Sequence, residues 1–329
     1  MSTKPILIHT HFHKRRTGVT RSIENVLPFF EKEYETYIYG FNVAGKKISL
    51  SELFKLVFTK KYFVMHCHRN NEMLRALFFK LIGGNFKMVS SRHAETKPSS
   101  LTKFLLKKSD AVVALTLNMA KDLPFHSVVI GHGVDVDLFK PKADSNLDFI
   151  IQKNIIVCAG RVRAAKGQKV LVEALAPILK QHPQWALLVV GKVDKPEFIK
   201  ELKAIVRQYD VMNQVYFKDE TPAIVEIYQA AHTAVIPSYT EGFSLVCAEA
   251  MACGCNVVAT ENVGIHSDLI QHSKNGYLFE AGNTKLLQGL LQEIMQNKLP
   301  HLGNVALKEI ETKWSAKHEA QKLMELYNN

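Results

Sequence analysis

The feature that most constrains this chain is an alternation, sustained from end to end, of short apolar runs with stretches of helical spacing. Runs rich in Val, Ile and aromatics fall at 6–11, 36–41, 62–66, 86–91, 111–115 and 127–130. The second half repeats them at 155–159, 186–190, 215–217, 233–236, 257–259 and 277–279. All read as strands. Helical spacing marks 22–30, 72–81, 101–108, 168–180, 196–209, 223–230, 244–251 and 285–296. Residues 306–327, with Trp314, His318, Leu323 and Leu326, read as one long helix. Strand–helix alternation points to parallel sheets flanked by helices, because parallel neighbours need a crossover connection. The 329 residues exceed the roughly 250–300 at which single cores stop growing. The expectation is therefore α/β, with two doubly wound domains facing a cleft, at 1–143 and 144–311. Residues 312–329 form a C-terminal helix that packs on its own domain or crosses back to the first. The mixed-charge segment 139–154, with Pro141, reads as the linker.

Composition narrows the class. At 47% hydrophobic and 22% charged the chain is ordinary globular material, which excludes a disordered tail protein or a coiled coil. No run approaches the roughly 18 apolar residues of a membrane span, and the N-terminus is too short and polar an apolar stretch for a signal peptide. Five cysteines, odd in number and set in apolar or Gly-flanked runs, read as free thiols in a reducing cytoplasm. The +11 formal charge is lopsided: residues 1–150 carry 23 Lys and Arg against 13 Asp and Glu, and the remainder 19 against 18. A basic first half calls for an anionic partner: nucleic acid, acidic lipid or phosphorylated glycan.

Three loops carry chemistry. In PSYTEGFSLVCAEAMACG, residues 237–254, a strand ends at Pro237 and a helix begins near Ser244. Glu241 and Glu249 are eight apart, about 80° out of alignment on a continuous helix at ~100° per residue. The spacing works with Glu241 in the loop and Glu249 two turns inside the helix. Gly242 permits close backbone approach, and the N–H groups at Phe243, Ser244 and Leu245 suit an anion. Two carboxylates there can hold sugar hydroxyls around a diphosphate. Equally, Glu241 can be a dipole-favoured neighbour of the cap and Glu249 a surface residue. In AGRVRAAKG, residues 159–167, Arg161 and Lys166 sit between two glycines, where paired cations clamp phosphate. In KRRTGVT, Gly18 opens a helix beside Lys14, Arg15 and Arg16, without the glycines of a dinucleotide fingerprint or Walker A loop.

Histidines alternate at His9, His11 and His13 and again at His66 and His68, with His93 after another strand. No HExxH or CxxC supports a metal centre, so they read as structural or substrate-contacting, with no metal and no cofactor. No GxSxG elbow is present.

Taken together these motifs resemble the GT-B nucleotide-sugar glycosyltransferases of the large retaining family 4, built of two Rossmann-like domains. The E-x7-E signature is Glu241 to Glu249, AGRVRAAKGQKVLVEAL is similar to the donor-phosphate loop, and VVIGHGVDVDLFKP to the interdomain element. ENVGIHSDLIQHSKNGYLFEAGN fits the last strand region. The resemblance implies that Glu249 binds the nucleotide ribose and Glu241 the donor sugar. It implies that Arg161 and Lys166 neutralise the diphosphate, with Gly242, Phe243, Ser244 and Leu245 near sugar and phosphate. His93 matches a histidine near the donor sugar, and Gly18 the N-terminal glycine loop by the donor phosphates and acceptor. Two positions depart from the pattern: Thr17 precedes Gly18 where a second glycine is frequent, and His132 stands where Asn is usual.

Within the family, HKRRTGVTRSI is most similar to lipopolysaccharide-core hexosyl- and mannosyltransferases. The implied activity is metal-independent transfer of a hexose, from GDP-mannose or a UDP-hexose, to a lipopolysaccharide-core or other lipid-linked glycan, with retention. Catalytic candidates are His93, Glu241, Arg161 and Lys166. Lys14, Arg15 and Arg16, with Lys46, Lys47, Lys60, Lys61, Lys103, Lys107 and Lys108, are candidates for the acceptor or an anionic inner-membrane surface, placing the enzyme in the cytoplasm as a peripheral protein. The rivals are a GT-B enzyme with a soluble acceptor, a nucleotide-sugar epimerase, and a basic nucleic-acid-binding protein. No RNP, KH or helix-turn-helix pattern supports the last.

Overall fold

The computed structural model describes residues 4–143 and 145–329. The chain divides into two compact units, Met1–Asp135 with Trp314–Asn329, and Val136–Lys313. The change of unit falls between Asp135 and Val136, upstream of the expected 143/144 boundary, where residue 144 lies outside the described residues.

The first unit runs β1 (Ile6–His11), α1 (Gly18–Glu33), β2 (Glu35–Gly40), α2 (Leu50–Phe58), β3 (Phe63–Cys67), α3 (Asn70–Leu81), β4 (Phe86–Arg92), α4 (Ser100–Lys107), β5 (Ala111–Ala114), α5 (Leu117–Lys121) and β6 (Val128–Val129). Its six strands form one parallel sheet in the order β2-β1-β3-β4-β5-β6. The second unit runs β7 (Asn154–Ala159), α6 (Gln168–Leu179), β8 (Trp185–Val190), α7 (Pro196–Gln208), β9 (Val215–Lys218), α8 (Ile224–Ala230), β10 (Thr233–Ile236), α9 (Leu245–Ala252), β11 (Asn256–Thr260), α10 (His266–Leu269), β12 (Tyr277–Phe279), α11 (Thr284–Met295) and α12 (Gly303–Lys313). Its sheet, also six parallel strands, is ordered β12-β11-β10-β7-β8-β9. The last helix, α13 (Ala316–Asn328), belongs to the first unit.

Both sheets are covered on both faces, which is why their strands are apolar runs rather than alternating ones. In the first unit, α1 and α13 cover one face, where Phe30, Leu323 and Tyr327 pack on Leu7, Val64, Val89 and Val113. The opposite face carries Leu53, Phe79 and Leu105 from α2, α3 and α4. The second unit buries Trp185, Leu171, Leu175 and Leu291 in one large cluster, and Ile155, Val157, Leu188 and Met251 are buried outside it.

Three expectations are corrected. The single helix at 306–327 is two helices, α12 and α13. Val134 N–H donates to Trp314 O at 2.8 Å and Ala316 N–H to Val134 O at 2.7 Å, so the chain is drawn into an extended bridge. Ser315 then caps α13, accepting from His318 N–H at 3.3 Å. The segment 139–154 is no free linker: Phe139, Leu147 and Ile150 are buried, and Gln229 donates to Lys140 O at 2.9 Å. Helix α2 was not anticipated, although Ser49 and Glu52 form a capping box at its start, a readable signal.

The unit boundaries sharpen the charge asymmetry. The first unit holds 23 Lys and Arg against 12 Asp and Glu, and the second 19 against 19. The whole formal charge of +11 therefore belongs to the first unit. No helix among the described residues is long and apolar enough to cross a membrane.

Because α13 contributes buried Leu323 to the sheet face, Leu323→Ala is expected to destabilise the first unit by about 2–5 kcal/mol. Lost hydrogen-exchange protection in β1, β3 and β4 measures it, and unchanged protection there would contradict the packing.

Candidate active site

In the second sheet the strand order reverses between β10 and β7, the place where doubly wound sheets open a crevice beyond their strand ends. Two loops meet there. After β7 the chain passes Gly160 and Arg161, makes one 3-10 turn at Ala164–Lys166, and enters α6 through Gly167. Gly167 is in the left-handed region at φ +70°, and a Cβ would lie 1.8 Å from Pro237 O. Only glycine lets this loop press against the one after β10. Tyr239 N–H donates to Ala165 O at 3.0 Å across the same seam.

That approach brings Lys166 Nζ to 2.6 Å from Glu241 Oε1, and Ser238 Oγ donates to the same oxygen at 2.7 Å. Glu241 is in the loop, as the spacing predicts, and is almost wholly shielded from water. The ion pair is thus held in a restricted place rather than being a solvated contact of little worth. Arg161 lies on the same loop but is more exposed, its Nε 3.7 Å from Asp194 Oδ1. Buried Gln168 orders the loop from inside by donating to Arg161 O at 3.0 Å.

The start of α9 is unusual. Its N-cap, Ser244, has φ +92°, a left-handed conformation that costs a non-glycine residue roughly 1–3 kcal/mol. No side chain caps the helix there. The Ser244 hydroxyl is turned instead to His266 Nε2 at 2.8 Å, while His266 Nδ1 donates to Thr260 O at 2.8 Å. Burial lowers the pKa of His266, so the ring is neutral and Nε2 accepts from Ser244. Diverting the hydroxyl leaves the positive end of the helix dipole without a side-chain cap, and Cys247 N–H turns back to Ser244 O at 3.0 Å. Gly242 and buried Phe243 and Leu245 frame this end. Glu249 is the fifth residue of α9, a little over one turn in rather than two, and it is fully buried, which overturns the surface alternative. Ser238, His266, Gln168 and Asp194 were missed by sequence reading. His266 alone left a trace, inside the quoted GIHSDL stretch.

In the first unit the strand order reverses between β1 and β3. Buried Glu72 ties the two strand ends together, accepting from Phe12 N–H at 2.9 Å, His68 N–H at 2.8 Å and the Thr10 hydroxyl at 3.0 Å. Its pKa is raised by burial, against those hydrogen bonds and Arg69. Gly18 is the first residue of α1 and exposed, as are Lys14, Arg15 and Arg16, the last paired with Glu24. β1 stops at His11, so His13 lies beyond the strand.

His9 and His66 are register partners on β1 and β3. With His68 they bring one ring nitrogen each to within 4.8 Å of one another. His9 and His68 are stacked with an interplanar angle of 15°, and His66 and His68 with 24°. Burial pushes His9 down to about 3, and holds His66, His68 and His93 well below the usual histidine value, further lowered by their neighbouring histidines in the last three.

Residues 139–312 match the family described as Glycosyl transferases group 1. The lipopolysaccharide core biosynthesis mannosyltransferase LpcC of Rhizobium leguminosarum bv. viciae is 28% identical over 98% of this chain and 96% of its own length. The mannosyltransferase LpsB of Rhizobium meliloti (strain 1021), also of lipopolysaccharide core biosynthesis, is 31% identical over 71% of this chain and 70% of its own. Among solved structures, Anabaena Alr3699/HepE in complex with UDP reaches a TM-score of 0.83 over 98% of this chain and 99% of that one, at 18% identity. That likeness speaks for the fold, which is GT-B: α/β, with two parallel doubly wound sheets.

The depressed histidines set a pH dependence. Their folded-state pKa values lie below the unfolded value of about 6.5, so below that pH the unfolded chain binds protons that the folded chain refuses. Stability of the first unit is expected to be level above pH 7. It should fall as pH drops through 6.5, continuing toward about 3, the folded value of His9. Exchange protection of β1 and β3 measured from pH 7.5 to 5 tests this, and a rise on acidification would refute it.

Proposed function

Since the chain belongs to the Glycosyl transferases group 1 family, we propose that it moves a hexose from a nucleoside-diphosphate sugar to a lipopolysaccharide-core or other lipid-linked glycan, with retention, as a family 4 enzyme. The donor is GDP-mannose or a UDP-hexose, and mannose is favoured by the names of the two relatives. The observation that carries this reading is the Lys166–Glu241 pair beside the uncapped start of α9.

When the bond to the sugar breaks, negative charge gathers on the departing diphosphate. Lys166, Arg161 and the first N–H groups of α9 are aimed at that charge in advance, and fixed donors of this kind are commonly the largest catalytic contribution. These cations serve where other enzymes use a divalent ion, so transfer proceeds without metal. Glu241 meets a hydroxyl of the donor sugar, Glu249 meets the ribose, and Gly18 and His93 serve the donor. The nucleophile approaches the face the diphosphate leaves, and its proton passes to that phosphate.

The acceptor side is assigned to the first unit and its charge. Around α2, α3 and α4 the surface exposes Phe58, Tyr62, Phe78, Leu81 and Phe104. Exposed Lys60, Lys61, Lys103, Lys107 and Lys108 come from the same segments. Apolar groups with cations suit an anionic membrane, at about 1 kcal/mol per cation near the surface. Lys14, Arg15 and Arg16 stand at the β1–α1 loop for the acceptor's own anionic groups, and the cytoplasmic inner-membrane face is the location this requires.

Lys166→Ala and Glu241→Ala are each expected to lower kcat by about 10²–10³, roughly 3–4 kcal/mol. The assay is transfer of radiolabelled mannose or glucose to core oligosaccharide, with the nucleotide identified beforehand by titration with UDP and GDP. Near-normal turnover in both variants would sink the assignment, and a product lacking an added hexose would favour epimerisation. Vesicles containing phosphatidylglycerol should retain the protein at least tenfold better than neutral ones, and replacing Lys60, Lys61, Lys107 and Lys108 by Gln should abolish the difference. Indifference to anionic lipid would remove the membrane surface from the proposal.

A further inference from the structure

Four histidines of the first unit, drawn from four separate places in the chain, form one continuous hydrogen-bonded line. His9 Nδ1 is 3.3 Å from His68 Nε2, His68 Nδ1 is 3.0 Å from His93 Nε2, and His93 Nδ1 is 3.2 Å from His132 Nε2. The line ends on a carboxylate: His132 Nδ1 is 3.0 Å from Glu319 Oε1, on α13. The other oxygen, Glu319 Oε2, accepts from Gly133 N–H at 2.7 Å. Glu319 and His132 are both buried.

The direction of the line follows from its end. A carboxylate only accepts, so His132 Nδ1 carries a proton and donates to it. Where that proton is the one His132 carries, its second nitrogen is an acceptor, which requires a proton on His93 Nδ1. The same step repeats at His68 and at His9. Every ring therefore carries its proton on Nδ1, pointing toward Glu319. The line begins at His9 Nε2, a buried nitrogen with no hydrogen-bond partner among the described residues. His66 is held between the Tyr327 hydroxyl and Ser91 Oγ, each at 2.7 Å. Arg69 and His11 approach His93 and oppose positive charge on it.

We propose that Glu319 is a positioning residue which, through His132, fixes His93 as a neutral ring with its proton on Nδ1. The use of this link rests on the glycosyltransferase reading: as the donor bond breaks, positive charge develops on the sugar ring, and a neutral histidine beside it does not oppose that charge where an imidazolium would. A carboxylate at the far end of the line secures this without itself touching substrate.

The test reads the rings directly. In protein labelled with ¹⁵N-histidine, long-range proton–nitrogen spectra should place the proton of His68, His93 and His132 on Nδ1. In Glu319→Gln, a carboxamide has one accepting oxygen for two donors, so His93 and His68, two and three links away, should lose the single tautomer and show mixed forms. His132→Asn should release His93 and His68 in the same way with Glu319 intact, which guards against misfolding of the first variant. In the transfer assay, kcat should fall about ten- to a hundredfold with the KM for nucleotide sugar within twofold. Wild-type protein with the proton on His93 Nε2, or both folded variants with wild-type tautomers, would overturn the proposal whatever the activity. A wild-type protein that transfers no sugar would overturn the functional reading instead, and leave the tautomer result to decide the line.

Discussion

In the second unit nearly everything of chemical interest depends on one constraint, the contact of the β7–α6 loop with the loop after β10 where the strand order reverses. Adjacent strands there send their chains to opposite faces, which leaves a crevice at their ends. Gly167 allows the two loops to touch, and only because they touch does Lys166 reach Glu241. The strained Ser244 and its bond to His266 then settle how α9 presents its first turn. Strain, a missing cap and a shielded ion pair are each unfavourable taken singly. Their concentration at one crevice is the mark of a site where stability has been given up for preorganisation.

The two units handle charge in opposite ways. The second has no net formal charge and keeps its important ions paired, as in Lys166–Glu241 and Arg161–Asp194. The first carries +11 outside while its interior histidines are held neutral by burial. Neutral imidazoles can both donate and accept, so they can be strung into a line that buried charged groups could not form without large desolvation costs. Glu319 and Glu72 are the carboxylates at the ends of these buried networks, and each accepts at least one backbone N–H.

Legibility in the sequence varied by kind of feature. Strands β10 and β12 have the expected limits because a short, mainly apolar run leaves little choice, and β1 has them although His9, Thr10 and His11 make its second half polar. The loop position of Glu241 followed from the strand end at Pro237, the helix start near Ser244 and the angular spacing of the two carboxylates. Helix α2 was missed because its apolar face is short, although its capping box was in plain view. The break at Trp314 and Ser315 was not readable, since it is imposed by pairing with Val134, some 180 residues earlier. Segment 139–154 read as a linker because Pro141 and its charges conceal Phe139, Leu147 and Ile150, whose burial depends on distant partners.

The sequence by itself determined the two parallel α/β sheets, the loops that bear Arg161, Lys166, Glu241 and Gly18, and the concentration of positive charge toward the first half. These depend on periodicity, turn chemistry and counting, all local properties. Only the tertiary structure decided that Lys166 and Glu241 are partners, that Ser244 gives its hydroxyl to His266, and that α13 returns to place Glu319 against His132. Each is a meeting of groups far apart in the chain, and no local pattern records which distant atom will satisfy a buried donor or acceptor.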